Sequence, residues 1–156
     1  MSSRIKFEKD FLEFISLCNK HKVEYLVIGG YAVAIHGYPR YTKDIDVSIQ
    51  ISAKNAEAMI EVMKDFGFAS LNLTSEDFTK VGGFIQLGYE PLRIDIVNDL
   101  DGVSFEKALK NKTVVEYEGV SINFIGYEDL IKNKQHAGRS QDIVDIEKLK
   151  ERNKNK

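Results

Sequence analysis

Residues 44–51, DIDVSIQI, alternate polar and apolar side chains without a break, the clearest strand pattern in the chain. Side chains on a strand change faces at every residue, so Ile45, Val47, Ile49 and Ile51 share a face that has to meet a core. Asp44 and Asp46 then stand together on the other face, a negative pair held on a sheet. Just upstream, residues 23–28 form an apolar, β-branched run that ends at Gly29 and Gly30; a short helical stretch over 31–36 and a turn at 37–39 follow. A helix start presents unpaired N–H groups with a partial positive charge, and glycine lets an anion approach the backbone. An acidic strand beside a glycine-rich helix start suits a divalent metal and a nucleotide.

The remaining patterns supply the elements that enclose this block. Phe7, Phe11, Phe14, Ile15 and Cys18 recur at intervals of three and four, which predicts an amphipathic helix over 6–20. Ser52 is placed to cap a helix over 53–66 that points Ala56, Met59, Ile60 and Met63 inward and stops at Gly67. Residues 68–82 are mixed, with a helix start at Ser75. Strands over 84–88 and 92–97, joined at Tyr89, Glu90 and Pro91, predict an antiparallel hairpin. In the second of them Arg93, Asp95 and Val97 share a face opposite Ile94 and Ile96. A short helix over 105–111, a hairpin of strands 113–117 and 120–125, and helices over 127–136 and 140–152 around Gly138 complete the chain; residues 153–156 have nothing to bury and are expected to fray.

Composition narrows the classes. A chain of 156 residues fits one domain able to bury about two thirds of its unfolded surface. With 43% hydrophobic and 29% charged residues, neither general disorder nor a membrane protein is indicated. The longest apolar stretch, residues 25–35, is broken by two glycines and falls short of the roughly 20 residues a membrane helix needs. The opening MSSRIKFEKD carries no apolar signal region, so a cytoplasmic location without membrane partners is expected. Cys18 stands alone, which excludes an intramolecular disulfide or thiolate zinc cluster and leaves it a buried apolar role. The formal charge of −2 does not call for a long nucleic acid. His21, His36 and His136 have no metal-ligand spacing and read as surface or boundary residues, while Lys148, Lys150, Arg152, Lys154 and Lys156 read as a solvated helix end.

Carboxylates on strands must be paired, ligated or open to solvent. A salt bridge to Arg93 or a neighbouring lysine would satisfy Asp95, and a solvent-facing rim would satisfy Asp44 and Asp46. Together, the three offer hard oxygen ligands to Mg²⁺ or Mn²⁺, which bind through one or two carboxylates plus substrate phosphates. Two such ions about 3.5–4 Å apart can activate an attacking hydroxyl and stabilise a departing pyrophosphate. That chemistry requires Asp95 on the same side as the pair, unblocked by a fixed arginine.

The order strand, Gly29-Gly30, short helix, Arg40-x-Thr42-x-Asp44-x-Asp46, then a later strand with Asp95, resembles the polymerase-beta-type nucleotidyltransferase superfamily. It is most similar to the small bacterial branch typified by AbiEii-type toxin nucleotidyltransferases, with a likeness over about residues 20–150. The closing stretch with Lys134, Arg139, Asp142 and Asp145 resembles that branch too, although Arg139 and Asp142 also fit a plain i, i+3 charge pattern. The resemblance implies one α+β domain over 1–156, a mixed β-sheet flanked by helices. By the same likeness Asp44, Asp46 and Asp95 would be catalytic and hold Mg²⁺ or Mn²⁺, with Asp95 taking the acceptor proton or completing a second metal site. Gly29 and Gly30 would meet the triphosphate, and Arg40, Thr42 and Lys134 would assist. Many superfamily members carry Ser after the glycine where this chain has Tyr31.

Two functions follow from the likeness. One is transfer of a nucleoside monophosphate from an NTP, ATP among them, to the hydroxyl of a tRNA end, an antibiotic or a protein side chain. The other is a non-catalytic nucleotide-binding or toxin-antitoxin partner with the same fold. A homodimer or a cognate antitoxin is the expected protein partner.

Overall fold

The alternating stretch forms strand β2 (Asp44–Ile49), between an antiparallel neighbour β1 (Tyr25–Ile28) and a parallel neighbour β4 (Arg93–Val97). The structure is a computed structural model that describes residues 5–88 and 93–154. With β3 (Phe84–Leu87), β5 (Thr113–Tyr117) and β6 (Val120–Phe124), these strands make a six-stranded sheet in the order β3-β4-β2-β1-β6-β5. Both hairpins, β3–β4 and β5–β6, are antiparallel, while β1 runs parallel to β6. The sheet is therefore mixed, and the expected α+β class holds. The turn expected at Tyr89, Glu90 and Pro91, with Leu92, lies outside the described residues.

Among the described residues, seven α-helices accompany the sheet: α1 (Lys9–Lys20), α2 (Gly29–Ile35), α3 (Ala53–Asp65), α4 (Ser75–Thr79), α5 (Phe105–Lys110), α6 (Tyr127–Ala137) and α7 (Ser140–Lys154). Several bounds differ from the sequence expectations. The first helix begins at Lys9 rather than 6, yet Phe7 is still buried, with its ring against Phe11, Tyr117 and Phe124. The second helix includes the two glycines as its first residues instead of starting after them. Asn153 and Lys154, expected to fray, continue α7.

The core forms where the periodicities put it. Phe11, Phe14, Ile15 and Cys18 of α1 are fully buried, as are Ile45 and Val47 of β2 and Met59 of α3. Burying each large side chain of this kind is worth about 1.5–3 kcal/mol, which fixes the register of β2 with its carboxylates facing away from the core. Ser52 caps α3 as expected, accepting from the Asn55 N–H at 3.1 Å. Asn55 then accepts from Glu24 N–H and donates to the Glu24 and Gln50 carbonyls, tying the start of β1 to the end of β2. At the other edge, Asn98 donates to the Phe78 and Lys80 carbonyls and accepts from Gly83 N–H, anchoring the end of β4. Gly138 takes the left-handed conformation at φ 64°, so α6 turns sharply into α7 and brings Lys134, Arg139, Asp142 and Asp145 into one neighbourhood.

Candidate active site

The pairing of β2 with β4 sets the carboxylate geometry. Asp46 is the register partner of Asp95, and Asp44 that of Arg93. In parallel strands, register partners project to the same face, so all three carboxylates and one guanidinium share a side. Asp95 is buried, and Asp44 and Asp46 are half-buried. Burial, then the neighbouring charges of Asp95 and Asp44, push the Asp46 carboxyl up to about 6, partly offset by Arg139 and Arg93. Asp44 Oδ1 is buried and accepts no hydrogen bond.

Arg93 lies across this face. Its Nε and Nη2 donate to the two carboxylate oxygens of Asp95 at 3.1 and 2.9 Å, and Nη2 also donates to Asp44 Oδ2. The salt bridge to Asp95 is the alternative the sequence allowed; the bond to Asp44 was not anticipated. An arginine thus sits on Asp95, and the metal chemistry set out above requires that side chain, 30% exposed at the cavity wall, to move off it.

The glycines also meet a packing need. A Cβ on Gly29, whose φ is +69°, would collide with the Asp46 carboxylate. A Cβ on Gly30 would collide with the Thr42 hydroxyl and methyl. The two glycines therefore let the acidic strand and the preceding segment pack directly on the first turn of α2. That turn has no side-chain cap, and both glycines line a cavity with Asp44 and Asp46. Tyr31 points elsewhere, its ring 5.7 Å from Phe7 in a separate cleft.

Opposite the carboxylates stands a cationic cluster built by α6, α7 and Arg40. Lys134 is 4% exposed, with Nζ 3.0 Å from Asp142 and 2.9 Å from Asp145. Arg40 makes a bidentate pair with Asp145, both bonds at 2.9 Å, and Gln141 donates to the same carboxylate at 2.8 Å. Arg139 donates to Asp142 through its backbone N–H at 3.1 Å and Nε at 2.8 Å, with 78% of its side chain exposed. Burial works to raise both aspartates, but hydrogen bonds from Arg139 and Lys134 to Asp142, and from Arg40, Lys134 and Gln141 to Asp145, prevail and hold them below the usual carboxylate range. Three cations facing two carboxylates leave this wall positive, next to an acidic face whose charge Arg93 only partly offsets.

Two adjoining cavities, of about 540 and 420 Å³, lie between these walls. They share Gly29, Asp44, Asp46, Lys134, Arg139 and Asp142, a size and lining that suit a small charged ligand. The structure thus brings together all eight expected site residues. It also gives Lys134 and Arg40 carboxylate partners. Among the described residues, no three His, Cys, Asp or Glu side chains stand ready, as they lie, to hold a metal ion. The donor chemistry nevertheless fits a hard divalent cation: the set is all carboxylate, Asp44 Oδ1 lacks a partner, and burial, with the Asp95 and Asp44 charges, pushes Asp46 up.

Residues 8–156 match the family described as a nucleotidyl transferase of unknown function (DUF2204). The chain belongs to that family. Solved structures carry the same fold. A candidate nucleotidyltransferase of Thermotoga maritima superposes with a TM-score of 0.62 at 19% identity, over 97% of this chain and all of the other. The lincosamide antibiotic adenylyltransferase LnuA, solved with lincomycin, gives 0.53 at 18% identity over 92% of this chain and 96% of the other. ANT(2'')-Ia, solved with adenylyl-2''-tobramycin, gives 0.53 at 11% identity over 89% of this chain and 84% of the other. The curated proteins give no match. The nucleotidyltransferase superfamily resemblance drawn from Gly29-Gly30, Asp44-x-Asp46 and Asp95 is borne out, and the chain is a nucleotidyl transferase family member with that family's fold. No helix among the described residues is long and apolar enough to cross a membrane.

Sequence reasoning left Arg139 undecided between a helix charge pattern and a site role, and passed over the buried state of Asp142 and Asp145. A signal was there: Asp142, Asp145 and Leu149 fall at helical spacing on one face, and all are buried. Carboxylates at core positions of a helix call for buried cations, and Lys134, on the preceding helix, supplies one.

Proposed function

We propose that this protein is a metal-dependent nucleotidyltransferase that moves a nucleoside monophosphate from an NTP to an acceptor hydroxyl and releases pyrophosphate. The observation that carries it is the same-face convergence of Asp44, Asp46 and Asp95 opposite the exposed Arg139 within one cavity system. Asp44, Asp46 and Asp95 would hold Mg²⁺ or Mn²⁺, which when bound draws charge off the phosphates and eases deprotonation of the acceptor. Arg139 and the N–H groups of Gly29 and Gly30 bind the triphosphate, backed by Arg40, Thr42 and Lys134 in the cavity wall. Asp95 takes the proton of the acceptor hydroxyl as its oxygen attacks the α-phosphorus. The bond between that phosphorus and the oxygen bridging to the β-phosphate breaks, pyrophosphate leaves, and the nucleoside monophosphate remains on the acceptor.

The test is transfer of label from each α-labelled NTP to total RNA, to protein in a lysate, and to a panel of hydroxyl-bearing antibiotics. Wild type is expected to label one of the three classes, and Asp46→Asn to lose that transfer roughly a thousandfold, the several kcal/mol a metal supplies. The position of Arg93 over Asp44 and Asp95 favours a second reading, a nucleotide-binding partner without turnover, such as a toxin-antitoxin component. It gains if Mg²⁺ and NTP raise the melting temperature while no acceptor is ever labelled.

A further inference from the structure

We propose that Arg93 is an internal counter-cation that occupies the acidic face in the metal-free protein, competes with the divalent ion for Asp44 and Asp95, and passes to the substrate's phosphates once displaced. The proposal rests on the reading of Asp44, Asp46 and Asp95 as metal holders. Arg93 is the register partner of Asp44 in β4, so its backbone is fixed and only its side-chain torsions can change. Its head bridges two different strands through Asp44 and Asp95, which is where a shared cation would sit. A single guanidinium leaves two of the three negative charges unmatched, whereas a divalent ion carries twice the charge in a smaller volume and prevails when abundant. At 30% exposure the displaced head can turn without leaving the cavity wall, where a planar fork of N–H donors matches a phosphate. The same side chain thus guards the carboxylates against each other's repulsion when no ion is bound and grips the nucleotide when one is. Arg93 is a positioning residue in the first state and a substrate-binding residue in the second.

Two measurements of opposite sign test this. Titration of Mn²⁺ alone, followed by the loss of its free electron-spin-resonance signal, is expected to show on the order of tenfold tighter binding for Arg93→Gln than for wild type. Arg93→Lys, which keeps the charge but lacks the planar fork that takes both oxygens of Asp95 while reaching Asp44, is expected to fall between them and serves if Arg93→Gln does not fold. With Mn²⁺ saturating, pyrophosphate is expected to bind Arg93→Gln several-fold more weakly than wild type. If wild type binds Mn²⁺ and neither folded variant binds it more tightly, this role of Arg93 is overturned while the metal reading stands. If no form binds Mn²⁺ at all, both fall.

Discussion

Asp46 and Asp95 stand opposite one another across the parallel pair of β2 and β4, in register and on the same face of the sheet. Two carboxylates so placed cannot both ionise freely, and the cost appears on Asp46, whose carboxyl is pushed from 3.8 to about 6 by burial and by Asp95 and Asp44. The folded protein therefore holds a proton that the unfolded chain releases between those values, and metal-free stability falls as pH rises through that window. Asp46→Asn removes the penalty. At pH 7.5 without divalent metal, the variant is expected to melt about 3–6 °C above wild type, a gain of about 1–2 kcal/mol. The gain should shrink as pH falls toward 4, where wild type is itself protonated. Calorimetry across that range checks it, and an equal melting temperature at pH 7.5 would contradict the electrostatic account of the acidic face.

Arg139 differs from the other cations of its wall in being exposed while its carboxylate partner is not. Removing it leaves Asp142 with the Lys134 ammonium and the Arg139 backbone N–H, so little stability is at stake. Arg139→Ala is expected to shift stability by less than about 1 kcal/mol and to weaken NTP binding about tenfold, the loss of one charge-assisted phosphate contact. Isothermal titration with a non-hydrolysable NTP, beside a thermal melt, separates the two effects.

Gly30 packs against Thr42 with no room for a methyl group. Gly30→Ala is expected to cost about 1–3 kcal/mol through overpacking. Combined with Thr42→Ala, which removes the hydroxyl and methyl it would strike, part of that loss should return. A double-mutant cycle in urea measures the coupling. If the glycine served only to admit phosphate, Gly30→Ala would leave stability unchanged and no coupling with Thr42 would appear.

Much of this was legible in the chain, for identifiable reasons. The alternation set β2 and its acidic face, since a one-residue slip would bury both carboxylates and expose Ile45, Val47 and Ile49; Ile51, read onto the same core face, lies beyond the strand end and is exposed. The i, i+3, i+4 spacing of Phe11, Phe14, Ile15 and Cys18 gave α1, and Ser52 marked the start of α3. Helix ends were less legible: Gly29 and Gly30 read as the end of the first strand ahead of a helix over 31–36, yet they form the first turn of α2, where other residues would clash with Asp46 and Thr42. Arg93 was seen as a neighbour of Asp95 along one strand, but its bond to Asp44 depends on the β2–β4 pairing between residues 49 positions apart. No local pattern carries that pairing. The burial of Lys134 was hidden for the same reason, since charge in a sequence reads as surface until the partners that neutralise it are found.

That burial gives the most discriminating prediction. Were Lys134 chiefly a phosphate ligand, Lys134→Met would keep its melting temperature and lose nucleotide affinity. In the structure, its ammonium lies between Asp142 and Asp145, two carboxylates with essentially no exposure. Removing one partner of a buried charge group costs about 3–5 kcal/mol, because the other is left unneutralised. Lys134→Met is therefore expected to melt at least about 6 °C lower at pH 7. The pH dependence carries the sign. In wild type both carboxyls sit below the usual range, so their contribution is present above 3.8 and lost only as pH falls below it, through their folded values. Without the lysine their proton affinity rises, so protonation relieves the variant earlier than wild type. The difference in stability between the two proteins should narrow as pH drops from 7 toward 4, measured by urea unfolding at each pH. A constant difference would mean that Lys134 acts through packing alone; a widening one would mean that another cation has taken its place.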